Sequence, residues 1–361
     1  MEKVAFLITC FAILLIGCQQ QAKNYDISAQ LLAEYHIFDT TQYAQCHASS
    51  IIETNEGLLL SFFGGPYERH PNVSIYTSVF ENNNWSKPQM VADGKTDTIR
   101  YPTWNPVLFR NNDTLITLYY KAGPSPNDWW GLFMNSDNEG ITWTKPQELP
   151  KGILGPIRNK PVRLPSGVIL SPSSTEPNHE LWKSHIERST DNGLSWQKIN
   201  IPSPDSVKAI QPTLLLYPNN RIQALLRSNQ NVIMESWSED EGLTWSVVQA
   251  TSIRHPNSGI DATNLFSGAK LLVNNPMKSG KSWEAGRNQL DLYFSADGKE
   301  WKSILQLENE TEGEFSYPCI IQSRDGLIHI SYTYNRTKIK HLVLRLSKHA
   351  LSSSPSPHQS N

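Results

Sequence analysis

The chain has 361 residues and a formal net charge of −2, with 11 Trp, 13 Tyr, 11 Phe and 23 Pro. That length can bury a large core, and more than most single-core domains hold unless the fold is modular. The balanced charge gives no ground for a nucleic-acid partner or for electrostatic binding to an anionic membrane, so anion binding must come from local arginines.

The first 17 residues read as an export signal. Met1-Glu-Lys opens an apolar run from Val4 to Ile16, too short to span a bilayer. It ends in Leu15-Ile-Gly-Cys18 followed by three Gln. This resembles the lipobox of bacterial lipoproteins, which implies lipidation of Cys18 and a protein anchored at the cell envelope, on the outer-membrane or periplasmic side. An ordinary cleaved signal is the alternative. Residues 18–39 read as a linker with a strand that helps close the fold. Cys46 and Cys319 remain, and an oxidising compartment would allow them to pair. No Cys/His spacing asks for zinc, and no cofactor motif is present.

A repeat then organises the chain. Ser136-Asp-Asn-Glu-Gly-Ile-Thr-Trp143 is followed by Ser189-Thr-Asp-Asn-Gly-Leu-Ser-Trp196, Ser238-Glu-Asp-Glu-Gly-Leu-Thr-Trp245 and the shorter Ser295-Ala-Asp-Gly-Lys-Glu-Trp301. A degenerate copy ends at Trp85, so five tryptophans mark five modules, and the segment from Phe315 to Leu346 supplies a sixth. A period of about 50 residues signals a modular β architecture. Alternating segments such as Ile222-Gln-Ala-Leu-Leu226, bounded by Gly/Pro turns, read as strands, with no long helical pattern between them. In each repeat Asp or Asn and Gly suit a tight hairpin turn, the hydroxyls suit local backbone, and the Trp packs beneath. The expected fold is all-β, a six-bladed β-propeller with Asp-box turns over residues 40–346, followed by a Ser/Pro-rich disordered tail at 347–361.

Asp-boxes at this spacing in an exported all-β chain resemble the sialidase superfamily. That resemblance implies three arginines on a substrate carboxylate, a Tyr nucleophile assisted by a Glu, and an Asp acid/base. Arg287, after Asn275-Pro276, matches the third arginine; Arg227, in Ala224-Leu-Leu-Arg227-Ser, matches the second; Tyr317, in Gly313-Glu-Phe-Ser-Tyr-Pro318, matches the nucleophile. The rest departs. His47 stands where the first arginine is expected, Asn72 where the Asp is expected, and Gln211-Pro212 where a Glu-Pro is expected. Both hydrolytic acids are therefore read as missing.

Equivalent openings of inner strands should ring one pocket. By position these are His47, Arg100 with Tyr101, Arg158 with Lys160, Gln211, Asp261 and Tyr317, joined by Arg69 and His70 on a loop after Gly64-Gly-Pro. A ring of Arg, His and Tyr without a carboxylate pair suits elimination from a uronic acid. Arginine neutralises the carboxylate beside C5, and His47 or Tyr317 moves the proton. The expected catalytic residues are His47, Tyr317 and Arg287. Arg227, Arg69, His70, Arg100, Arg158, Lys160, Gln211 and Asp261 would bind an acidic oligosaccharide. Similarity to sialidase-like propellers of polysaccharide-degrading bacteria, which include ulvan-oligosaccharide dehydratases, implies a 4,5-unsaturated uronate as product, by dehydratase or lyase action. Two alternatives stay open: an exo-glycosidase recruiting Glu314, Glu68 or Asp261 as its acid, and a non-catalytic glycan-binding lipoprotein.

Overall fold

A computed structural model describes residues 25–38, 43–178 and 181–350. The signal, Cys18 and the tail beyond 350 lie outside these residues. Among the described residues no helix is long and apolar enough to cross a membrane.

Six antiparallel sheets form the blades of a propeller, each built outward from an inner strand. The inner strands of blades 1 to 6 are Gln45–Glu53, Thr103–Arg110, Val162–Arg163, Ala209–Leu216, Asp261–Asn264 and Phe315–Gln322. A two-stranded ribbon, Gly94–Lys95 with Arg100–Tyr101, joins blades 1 and 2. In blade 6 the outermost strand is Tyr25–His36, paired with Lys338–Ala350, so the two ends of the chain share one sheet. That pairing carries the fold to Ala350, past the expected boundary at 346, and Tyr25–His36 is a closing strand within residues 18–39, where one was expected.

The apolar face of each strand packs against neighbouring blades. Leu170, Ile186, Leu214, Ala224, Leu226 and Trp245 form one such layer between blades 3 and 4. The Asp-boxes lock these layers. In blade 4 Ser238 donates to Asp240 Oδ1 (2.9 Å), Gly242 N donates to Ser238 Oγ (2.9 Å), and Thr244 N donates to Asp240 Oδ1 (2.8 Å). Trp245 Nε1 closes the turn on Gly242 O at 3.1 Å. Gly242 has φ +82, and an added Cβ would meet Leu170 of blade 3 at 2.9 Å. The turn thus needs glycine both for its backbone and for its contact with the preceding blade. Blade 1 meets blade 6 through Ser49 Oγ to Ser331 Oγ (2.9 Å) and Trp85 Nε1 to His341 Nδ1 (3.3 Å). Cys46 and Cys319 lie in the same buried cluster as free thiols, which answers the open disulfide.

Four inner strands are interrupted near their starts. The ladder shifts register at His47/Ser50, opposite Trp104/Val107, at Ile210/Thr213 and at Ser316/Cys319. Each bulge contains one left-handed residue: Ala48 (φ 55), Asn105 (φ 41), Gln211 (φ 54) and Tyr317 (φ 53). A bulge re-aims a side chain out of the pleat, and non-glycine residues accept this backbone only where the surroundings enforce it. These bulges mark the site end of the propeller, opposite the Asp-boxes.

Trp245 is 7% exposed, whereas Trp301 is only partly buried. Trp245→Ala should therefore lower the unfolding free energy by about 3–5 kcal/mol in denaturant titration, and Trp301→Ala by clearly less. Equal losses would show that burial of the box tryptophan does not set its contribution.

Candidate active site

Tyr317 is the centre of the site. Its bulge is held from below by Arg158, which is fully buried and donates Nη2 to the carbonyls of Tyr317 and Pro318, the latter at 2.6 Å. Its ring lies 4.1 Å from the His47 ring, and its phenol oxygen accepts Arg227 Nη1 at 2.8 Å. Among the described residues no carboxylate contacts that phenol.

Arg227 ends the second strand of blade 4 (Ile222–Ser228). Its remaining acceptors are uncharged: Asn257 Oδ1 (2.9 Å), Asn257 O (2.7 Å) and Gln211 Oε1 (3.2 Å). Arg287 reaches Glu314 Oε1 (3.0 Å) and Asn257 O (3.2 Å). A further arginine completes the group. Arg336 lies in the hairpin between the second and third strands of blade 6, where it and Asn335 both have left-handed φ (53 and 51). It binds Glu314 Oε2 (2.7 Å) and Glu68 Oε2 (2.6 Å), and its Nη2 lies 3.5 Å from His47 Nε2. Trp283, 57% exposed, covers the guanidiniums of Arg287 and Arg336 at 4.9 and 4.6 Å. The ring quadrupole attracts both cations while much of the indole stays open to solvent.

The electrostatics follow from this crowd. Arg158, Arg227, Arg287 and Arg336 meet two carboxylates, Glu314 and Glu68, which leaves surplus positive charge. Burial, and then Arg336, Arg287, Arg158 and Arg227, push the His47 imidazole well below its ordinary value, so the ring is neutral. A guanidinium can only donate, so Nε2 of His47 carries the lone pair facing Arg336 and Nδ1 carries the proton. Burial opposes ionisation of Glu314, but Arg336 and Arg287 outweigh it and hold its carboxyl below the usual range. Glu314 is a fixed anion that spaces two arginines.

A family comparison accords with this geometry. The model of the BNR repeat-like domain matches residues 56–330. The chain belongs to that family. No curated protein matches it in sequence. A protein of unknown function from Dyadobacter fermentans superposes with a TM-score of 0.71 at 16% identity, over 89% of this chain and 100% of the other. The Hadza microbial sialidase Hz136 gives 0.70 at 15% identity, over 86% and 68%. A mutant NanB sialidase from Streptococcus pneumoniae gives 0.65 at 13%, over 88% and 70%. At these identities the likeness is one of fold.

Within this propeller the expected residues divide. Tyr317, His47, Arg227, Arg287 and Gln211 do converge. Lys160 and Asp261 form an ion pair instead, and Asp261 also accepts Thr213 Oγ1 and Ile320 N, both at 2.9 Å. Every oxygen of Asp261 is thus committed to holding blades 3 to 6 together, and it is no free acid. Arg158 supports backbone rather than substrate. Arg100 turns away to Asp93 and Ser74, both at 3.2 Å, because the ribbon is inserted ahead of blade 2; Asn105 is the residue equivalent to Tyr317 there. Arg69 is exposed with φ 79, and His70 Nδ1 accepts Asn72 N (3.0 Å) to shape its own loop. The expected ring without a carboxylate pair is corrected: Glu314 and Glu68, the two glutamates named as alternative acids, both lie at the site on Arg336, which stands beside His47 where an arginine seemed lost. Arg336, Asn257 and Trp283 were missed. The sequence signal for Arg336 is an arginine in Tyr334-Asn-Arg-Thr337, a tight turn where Gly or Asn is usual. Among the described residues no group of three or more His, Cys, Asp or Glu could hold a metal.

Glu314 gives a pH prediction. Its folded value lies below its unfolded one, so its ion pairs stabilise fully above the unfolded value and are lost as pH falls through the folded value. Glu314→Gln should cost about 3 kcal/mol at neutral pH and flatten the acid side of the stability–pH curve. An acid side unchanged from wild type would remove Glu314 from that role.

Proposed function

We propose that the protein processes an acidic glycan, gripping a terminal uronate carboxylate between Arg227 and Arg287 and eliminating across C4–C5 with Tyr317. The observation that carries this is Arg227, a 6% exposed guanidinium with only uncharged acceptors that donates directly to the phenol of Tyr317. A buried charge without a counter-ion is costly, and an anionic ligand supplies one. The sialidase-named structural neighbours make a glycan substrate a consistent choice.

The carboxylate, once neutralised by arginine, lets C5 give up its proton. The phenol oxygen of Tyr317, once its own proton has passed to solvent, takes that proton. The C5–H electron pair becomes the C4–C5 double bond, and the C4–O bond breaks. Tyr317 returns the proton to the departing oxygen, which leaves as water from a free hydroxyl or as a sugar alcohol from a linkage. His47, neutral and packed on the tyrosine ring, fixes its orientation and adds no positive charge. Gln211, in place of a carboxylate, leaves Arg227 uncompensated. The apolar run from Val4 to Ile16, with Cys18 just beyond it, supports export and a lipid anchor for this activity.

A second reading is hydrolysis. Glu68 favours it: its side chain is 35% exposed, against 8% for Glu314, so it is the more open of the two site carboxylates. It would protonate a glycosidic oxygen while Tyr317 attacks the anomeric carbon.

Uronate-terminated oligosaccharides incubated with the protein should develop the ultraviolet band of an unsaturated uronate, and Tyr317→Phe should lower kcat by about 10³-fold. Free monosaccharide without that band would replace elimination by hydrolysis. Saturable binding with no product would overturn both.

A further inference from the structure

Asn257 occupies an unusual place in this site. An arginine held rigidly in a protein interior is normally forked by a carboxylate, which cancels its charge. Glu314 supplies such a counter-charge to Arg287 and Arg336, through one oxygen each. Arg227 is held otherwise. Its Nε and Nη2, the edge a carboxylate would take, go to the side-chain oxygen and the backbone oxygen of one asparagine, at 2.9 and 2.7 Å. The same backbone oxygen accepts Arg287 Nη2 at 3.2 Å. One neutral residue therefore ties together two arginines from different blades.

The segment bearing Asn257 is built to hold that pose. Asn257 has φ 64, a left-handed backbone that asparagine tolerates better than most residues. His255, fully buried, anchors the segment: Nδ1 faces Asn274 Oδ1 at 2.6 Å, and Nε2 accepts Ser258 N at 2.8 Å. Asn274 Nδ2 donates to Arg254 O at 2.9 Å, which turns its oxygen toward the imidazole. Nε2 also lies 2.7 Å from Ser258 O, and burial and Arg227 outweigh the pull of Asn274 and Ser258 and push the value of His255 down to about 3, which keeps it uncharged. No charge enters from this side of the site.

We propose that Asn257 is a positioning residue that clamps Arg227 and Arg287 with uncharged oxygens, so that the positive charge of Arg227 is kept for the substrate carboxylate and the Tyr317 oxygen. This rests on the acidic-sugar reading above. Replacing Asn257 by Asp keeps both oxygens, exchanges the side-chain NH2 for a second oxygen and adds a negative charge. Replacing it by Ala removes the side-chain oxygen and keeps the carbonyl.

The test is calorimetric binding of glucuronate to wild type, Asn257→Asp and Asn257→Ala, with melting temperatures to establish that each variant folds. Asn257→Asp should bind glucuronate about tenfold or more weakly than wild type, and more weakly than Asn257→Ala, because the added anion neutralises the arginines. A purely structural role gives the opposite order, since Asp preserves the hydrogen bonds that Ala loses; that order, or equal binding by wild type and Asp, would overturn the inference and leave the carboxylate site standing. Wild-type protein that fails to bind glucuronate would overturn the acidic-sugar reading, and this inference with it.

Discussion

Positive charge buried at one end of the propeller is the constraint on which the site depends. Each guanidinium taken out of water needs acceptors around its edge, and desolvation makes an unpaired one expensive. The fold meets this need in three ways. Arg158 is spent on backbone carbonyls, Arg287 and Arg336 share Glu314, and Arg227 is held by amide oxygens and a phenol. Neither Arg158 nor Arg227 is bonded to a carboxylate; Arg158 spends its donors on the backbone of Tyr317, and Arg227 is the one that reaches the phenol.

The scaffold makes such an arrangement sustainable. Asp-boxes at the opposite end pin successive blades together through hydroxyl, carboxylate and glycine geometry, as at Gly242 against Leu170. The strained bulges are supported from several blades at once. Tyr317 is carried by blade 6, braced by Arg158 ahead of blade 3, packed on His47 of blade 1 and bonded to Arg227 of blade 4. Asp261, buried under Lys160, Thr213 and the Ile320 amide, ties the neighbouring inner strands. Residues that look like chemistry by type can thus be structural, and the converse holds for Asn257.

The residues differ in how legible they were. Tyr317, Arg227 and Arg287 stand in local contexts that a family resemblance reads directly, and each does reach the site. Arg100 was misplaced because a two-stranded ribbon shifts the start of the second inner strand, and counting residues cannot see an insertion that pairs with itself. Glu314 and Glu68 were weighed as acids. Pairing decides otherwise for Glu314, whose two oxygens face two arginines.

The sequence by itself determined the number of blades and the location of their turns, because each Asp-box is a local structure whose side chains bond within eight residues. It also placed Tyr317 at the opening of the sixth inner strand and Arg227 near the end of the strand beside the fourth. Only the tertiary structure decided which charges cancel. Arg336 meets Glu68 across 268 positions and Arg227 meets Tyr317 across 90. Charge compensation depends on distances of a few ångströms between blades, and closure of the ring, with both chain ends in one sheet, sets those distances.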